Sequence, residues 1–211
     1  TGRNREKLQQ LKNDLPAIDF FAGDLTDKHA LDQLILFIKQ QHPSLNILIN
    51  NAAVQYNYNF TDEPNLTDKI AYEISANVTA PITLTGRLLP LLLTNKNSAV
   101  VNVSSGLFIA PKKSASVYCA TKSAIHSFSK TLRYQLENTD TKVFEIIPAL
   151  IDTPMTVGRG KAKLSPEQLT DEFLRNFEAD IFESYIGKTK LLKFINRLSP
   201  ALADNLMKNG L

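Results

Sequence analysis

The chain has 211 residues, 43% hydrophobic and 21% charged, long enough to bury a sizeable core and ordinary for one soluble globular domain, which excludes disorder, collagen or coiled coil as whole-chain descriptions. Lys and Arg number 24 against 21 Asp and Glu, and a net charge of +3 gives no argument for a nucleic-acid partner. The single Cys excludes an intrachain disulfide framework and fits a reducing, cytoplasmic setting; with the three His far apart at 29, 42 and 126, no metal site is expected.

The first residues are charged and carry no signal-peptide core. Asn4 to Asp14 then reads as a helix with Leu8 and Leu11 on one face. Ala17 to Ala22 (AIDFFA) reads as a short strand ending at Gly23-Asp24. Asp27 is a candidate cap for a helix that places Leu31, Leu34, Ile35 and Ile38 at helical spacing. Leu45 to Ile49 (LNILI) is a continuous apolar run of the kind buried on both faces of a parallel sheet. Residues 66–93 form a long helix, with Pro81 expected to kink it and Pro90 to break it near its end. Its most apolar part, Leu84 to Leu93, falls short of the ~20 residues a membrane helix needs, so no membrane partner is expected. Ala99 to Val103 is another buried strand, 115–138 a second long helix, and Lys142 to Ile147 a strand ended by Pro148. A polar loop follows over 149–165, then a helix near Pro166 to Asp180 and a tail of two short helices split at Ser199-Pro200. Strands separated by helices imply an α/β fold with a Rossmann-like, doubly wound parallel sheet, covered by helices on both faces. One domain is expected over 1–211, with 154–186 as lid and late helix and 187–211 as a helical tail.

In such folds ligands lie beyond the carboxyl ends of the strands. Those ends carry Asp24, then Asn50-Asn51-Ala52-Ala53, then Ser104-Ser105-Gly106, then Pro148 followed by Ile151-Asp152-Thr153-Pro154. Any one of them reads as a strand terminator. Four in succession suggest a polar ligand lying across the sheet edge. Tyr118 and Lys122 share a helix face, and none of the other five Tyr carries a Lys four residues later. The pair suits acid/base chemistry. A phenol has a pKa near 10, and poising it near 7 requires roughly 4 kcal/mol of preference for phenolate. One ammonium at ~4 Å supplies about that much at an effective dielectric of ~20, with burial working against it. Cys119, beside Tyr118, reads as a small core residue.

The set Asn51-Ala52-Ala53, Asn77, Ser105, Tyr118-Cys-Ala-Thr-Lys122 and Pro148-Ala-Leu-Ile151-Asp-Thr153 resembles the short-chain dehydrogenase/reductase motifs in order and spacing, including the thirteen residues from Ser105 to Tyr118. VNVSSG and IGKTKLLKFINRLSP look most like the DltE-like branch. The resemblance implies an NAD(P)(H)-dependent oxidoreductase moving a hydride between a nicotinamide cofactor and a carbonyl or alcohol substrate. Tyr118 would be the general acid/base. Lys122 would lower its pKa and hold the nicotinamide ribose. Ser105 would bond the substrate oxygen, and Asn77 would anchor a relay water beside Lys122. Asp24 and Leu25 would flank the adenine, Asn51, Ala52 and Ala53 its ribose, and Pro148, Ile151 and Thr153 the nicotinamide end. Arg3 after Gly2, where NAD-specific members place an Asp, favours NADP(H) over NAD(H), since a guanidinium suits a phosphate. The family's pairing of equivalent helices implies a homodimer or homotetramer through 66–93 and 115–138.

Departures from the family accompany the matches. The eight Gly do not form the glycine-rich phosphate loop, and the family's opening strand, turn and helix are lacking, so a segment of 35–40 residues is expected to be missing ahead of Thr1. Ala53 and Ala149 stand where the family usually has Gly. The alternative to an enzyme is therefore a non-catalytic or truncated binding protein on the same fold that has lost cofactor phosphate binding. Lys188, Lys190, Lys193 and Arg197 read as a solvated basic face able to meet Asp171, Glu172, Glu178 and Asp180.

Overall fold

In the computed structural model, residues 1–160 and 163–210 are described; Lys161 and Ala162, inside the expected lid, and Leu211 lie outside the described residues. The elements are α1 (Arg5–Asp14), α2 (Lys28–Gln41), β1 (Ile47–Asn50), α3 (Leu66–Ile74), α4 (Ala80–Thr94), β2 (Ala99–Val103), α5 (Ser116–Gln135), β3 (Lys142–Pro148), α6 (Pro166–Glu178), β4 (Glu183–Ile186), α7 (Thr189–Leu198) and α8 (Pro200–Met207). The strands form one parallel sheet in the order β1-β2-β3-β4. Parallel pairing forces each connection to cross over through a helix, and the crossovers cover both faces. On one face Val100 and Val143 pack with Leu92, Leu132 and Leu136 of α4 and α5. On the other, Val101, Phe144 and Ile146 pack with Phe173 and Phe177 of α6. Successive β2 side chains thus serve opposite faces, which is why its sequence reads as one apolar run.

A polar row crosses the sheet on the α4/α5 face. Asn50 and Asn102 are register partners. The Asn50 amide donates to Thr85 Oγ1 (3.0 Å) and Asn102 Oδ1 (2.8 Å), and the Asn102 amide donates to Ser129 Oγ (2.9 Å). Buried amides are costly unless bonded, so this row fixes how α4 and α5 sit on β1 and β2.

Four expectations are corrected. Ala17 to Ala22 is not a strand. It meets only Gly2, through one bridge at Ala22, with Gly2 N–H donating to Phe21 O (3.3 Å) and Gly23 N–H to Gly2 O (3.0 Å). An extended segment becomes a strand only with a lateral ladder, and this one is separated from β1 by a groove of about 460 Å³ bounded by Phe21, Phe37, Leu48 and Asn50. For the same reason β1 is not buried on both faces: Leu48 packs inward, whereas Ile47 and Ile49 are 37% and 54% exposed. Pro90 does not break its helix, which runs on to Thr94. Distortion falls instead at Ser75–Thr79, one π turn immediately before Pro81, where the proline ring crowds the preceding turn and supplies no N–H. Finally, β4 lies where a lid and late helix were expected; its four residues show the alternating burial of a short strand against β3.

Glu73 ends the first half of that long helix and is fully buried. Its Oε1 accepts from the Tyr56 N–H (3.2 Å), while Oε2 has no partner among the described residues. Burial raises its pKa to about 7, against the lowering effect of the Tyr56 bond. The folded chain therefore keeps this proton to higher pH than the unfolded chain does. The corresponding stability is full below the unfolded pKa of 4.5 and is lost as pH rises through about 7, a change of roughly 3 kcal/mol. Denaturant titrations of the wild type and Glu73→Gln between pH 4.5 and 8 should show the variant gaining on the wild type as pH rises, then levelling off. A gap independent of pH would refute the buried, neutral carboxyl.

Candidate active site

Ser105 lies two residues past the end of β2 and caps the 3-10 turn Gly106–Phe108, its Oγ accepting from Leu107 N–H (3.2 Å). Tyr118 and Lys122 lie one turn apart near the start of α5. The two elements are tied at one point: buried Lys122 donates from Nζ to Val103 O (2.8 Å) at the end of β2, with Nζ 5.4 Å from the Tyr118 ring centroid. Tyr118 and Ser105 line one cavity of about 240 Å³ together with Pro148, Ile151 and Thr153. The end of β2, the start of α5 and the loop after β3 thus converge as the motif order implies.

The electrostatics differ from the expectation that Lys122 draws the phenol toward neutral pH. Burial pushes the Tyr118 hydroxyl up to about 12, with the neighbouring Ser105 hydroxyl the first group opposing it. Burial also lowers Lys122 to about 8, opposed by the charge of Glu145. The ammonium sits over the ring and is spent on the Val103 carbonyl, so desolvation dominates for both partners.

Asn77, expected to help anchor a relay water, is buried with its side chain fully engaged. Its Oδ1 accepts from Val54 N–H (2.8 Å), and its Nδ2 donates to Val54 O (2.8 Å) and to Thr121 Oγ1 (3.1 Å). The amide is thereby used as a clip that fastens the loop after β1 to α5. Glu73, one turn earlier, holds the same loop at Tyr56. Gln55, between these two fastened residues, lines the cavity with Tyr118.

The remaining sequence candidates divide between two places. Leu25, Asn51 and Ala52 line the groove beside β1, not the cavity of Tyr118. Arg3 and Asp24 form a separate polar cluster: Arg3 Nη1 donates to Tyr72 Oη (2.6 Å), which donates to Asp24 Oδ2 (2.8 Å), with Arg3 and Asp24 3.8 Å apart. Burial of Asp24 works against ionisation, but the Thr26 N–H, the Tyr72 and Thr26 hydroxyls and Arg3 hold its carboxyl below the usual range. Ala53 follows Ala52 on the loop that Asn77 fastens, and neither Ala53 nor Ala149 has a positive φ, so an alanine costs nothing at either position.

Several residues escaped sequence reasoning. Lys112, Arg159 and Lys188 line the cavity, brought there from the segment before α5, the loop after β3 and the start of α7. Distances of 29 to 47 residues in sequence hide that convergence, although the glycines flanking Arg159 mark an irregular loop. His126, four residues after Lys122, stacks on Phe108 and lies 2.9 Å from buried Glu145. With Glu183 they form a group of metal-ligand type, all ligand atoms within 4.8 Å. Arg133 (3.6 Å) and Lys193 (4.0 Å) already neutralise Glu183, so the group is balanced by protein cations. Of the expected basic face, Lys190 does meet Glu172.

No helix among the described residues is long and apolar enough to cross a membrane. The family model for short chain dehydrogenase matches residues 1–164. The oxidoreductase DltE of Bacillus subtilis (strain 168) is 37% identical over 152 residues, which is 72% of this chain and 60% of DltE, so the match spans less than two thirds of that relative. A short chain dehydrogenase from Burkholderia cenocepacia J2315, solved in complex with NADP, superposes with a TM-score of 0.85 at 21% identity, covering 98% of this chain and 85% of its own. A short chain dehydrogenase/reductase from Burkholderia phymatum, solved in complex with NAD, gives 0.77 at 16% identity over 92% and 81% of the two chains. Those structures share the fold, and the family match spans the sequence motifs from Asn51 to Thr153: the chain belongs to the short-chain dehydrogenase family, on the branch that includes DltE.

Proposed function

We propose that this chain carries the active site of an NADPH-dependent carbonyl reductase acting on a small-molecule carbonyl or alcohol. The observation that carries the reading is the convergence of Ser105 and Tyr118 on one cavity with Pro148, Ile151 and Thr153, and with Lys122 buried behind the tyrosine. NADP(H), when bound, supplies or accepts the hydride. Tyr118, Lys122, Pro148, Ile151 and Thr153 would hold the nicotinamide end. Asp24, Leu25, Asn51, Ala52 and Ala53 would hold the adenosine end. Their chemistry fits an adenosine phosphate. The Asp24 carboxylate is fixed by its hydrogen bonds to accept from a ribose or adenine donor, and exposed Arg3 beside it offers a guanidinium to a phosphate.

In the chemical step the Tyr118 hydroxyl delivers its proton to the substrate oxygen, while the Ser105 hydroxyl donates a hydrogen bond to the same oxygen. Burial pushes the Tyr118 hydroxyl up to about 12, so near neutrality it is protonated, the form that can donate to the substrate oxygen as negative charge develops there. Lys122 holds Tyr118 and the end of β2 in one frame, and its charge stabilises the phenolate that forms as the proton leaves. Leu107, Leu150 and Leu192 give the cavity an apolar wall beside Ser105 and Tyr118. A homodimer or homotetramer through the long helices, and a reducing cytoplasmic setting that keeps Cys119 a free thiol, complete the reading.

Tyr118→Phe removes the proton donor without changing the packing. Carbonyl reduction with NADPH should fall by roughly 10²- to 10⁴-fold while cofactor binding, followed by fluorescence titration, is retained. Undiminished turnover in the variant sinks the reductase reading, and a wild type that binds but turns over no carbonyl favours the non-catalytic alternative. The pH profile tests Lys122. Its charge is present below about pH 8 and is lost above, so the reduction rate should decline on the alkaline side near pH 8. In Lys122→Arg, whose guanidinium does not titrate there, the residual rate should lack that limb. For the cofactor, Arg3→Ala should weaken NADPH binding about tenfold and leave NADH binding nearly unchanged, because a guanidinium–phosphate contact at an exposed site contributes roughly 1.5 kcal/mol. Equal effects on both cofactors would remove Arg3 from the phosphate-binding role.

A further inference from the structure

The Tyr118 cavity carries cations and no acid. Lys112, Arg159 and Lys188 contribute to its wall, and no Asp or Glu does. None of the three has a carboxylate within 4 Å among the described residues, whereas neighbouring basic side chains are paired. Lys163 on the same loop meets Asp152 (3.1 Å), and Lys193 on the same tail helix meets Glu183 (4.0 Å). Arg159 goes further. Its Nη1 is buried and has no hydrogen-bond partner among the described residues. A guanidinium donor taken from water without an acceptor is costly, and it persists where a ligand supplies the acceptor. The rest of the wall is largely apolar, so an anion entering the cavity meets donors with little competing water.

We propose that the substrate is an oxo acid, with its carboxylate held by Arg159 and steadied by Lys112 and Lys188 while its carbonyl faces Ser105 and Tyr118. This rests on the reductase reading of the same cavity. The step balances: the carbonyl carbon takes a hydride from NADPH, the C=O π bond opens, the oxygen takes the Tyr118 proton, the carbonyl is reduced to a hydroxy acid and NADPH is oxidised, and Tyr118 regains a proton from solvent. A planar guanidinium matches a carboxylate through two parallel hydrogen bonds, which also fixes the direction in which the carbonyl points. Arg159 is among the charges that favour the Tyr118 phenolate, so its field reaches the reacting end of the cavity. A bound carboxylate would offset that field and keep the phenol a proton donor.

A binding experiment isolates the anion from turnover. Calorimetric titration of the chain with benzoate and with its neutral isostere benzamide should show benzoate bound roughly 10- to 100-fold more tightly, as for a charge-assisted hydrogen bond. The preference should shrink as salt is raised. It should vanish in Arg159→Gln and survive in part in Arg159→Lys, with circular dichroism reporting that each variant is folded. Benzamide binding as tightly as benzoate, or a preference untouched in Arg159→Gln, overturns the proposal. So does an Arg159→Gln variant that loses NADPH affinity and keeps the benzoate preference, since the guanidinium would then serve the cofactor's phosphates. Turnover separates the two readings. Phenylglyoxylate should be reduced with a lower KM than its methyl ester, and equal KM values overturn the oxo-acid assignment while leaving the reductase reading in place. Intact benzoate preference with no reduction of either compound removes the reductase reading, and the oxo-acid assignment falls with it.

Discussion

The hydrogen bond from the Lys122 ammonium to the Val103 carbonyl is the constraint on which the rest of the site depends. Strand carbonyls point toward neighbouring strands within the sheet, and one left without a lateral partner at a strand end must find a donor if it is buried. Here the donor is a charged side chain from the covering helix, so one bond satisfies a strand end, buries an ammonium and sets the position of α5 along β2. Tyr118, one turn earlier on α5, is thereby delivered beside Ser105, two residues past Val103. Had α5 slid by a single turn along the strand, about 5.4 Å, the phenol would have left the cavity altogether.

The cost of this arrangement is desolvation, and it is the largest influence on the ionisation of both Lys122 and Tyr118. Lys122 is drawn down to about 8 and Tyr118 up to about 12. An ammonium nearby favours the phenolate through a medium of effective dielectric ~20, and burial acts against it. In the structure the ammonium lies over the ring and spends its hydrogen bond on the backbone. Burial, whose extent residue spacing does not encode, sets the direction of the tyrosine shift.

Much of the fold was nevertheless legible. The strands at Ala99–Val103 and Lys142–Pro148 are buried on both faces, and a continuous apolar run is the direct consequence. The helix starts at Asn4, Asp27 and Ser199 carry side chains that bond the first-turn N–H groups, so local chemistry announced them. Segments whose state depends on a distant neighbour were not legible. Ala17 to Ala22 has strand composition but only Gly2 beside it, and Glu183–Ile186 has little strand composition but lies against β3. Pro90 failed as a helix breaker because the packing of Leu88 and Leu92 in the core, both fully buried, outweighs one missing hydrogen bond. In the site, Ser105 and Tyr118 were legible as a pair on a family pattern. Lys112, Arg159 and Lys188 were not, since their shared property is the absence of an acidic neighbour, and that exists only in three dimensions.

The distribution of charge around β3 gives this a direction. Behind the strand, Glu145 and Glu183 are met by His126, Arg133 and Lys193, so the interior side is closed and balanced. Beyond its carboxyl end, the cavity keeps cations without acids. The two sides share α5: His126 faces the balanced cluster and Tyr118 the open one, with Lys122 between them and Glu145 the charge that supports its protonation. The carboxylates around β3 are met by basic side chains, whereas the buried Arg159 nitrogen in the cavity has no partner among the described residues and leaves an unmet electrostatic demand there. Within a cavity walled mostly by apolar side chains, a ligand of opposite charge is the component that can meet it.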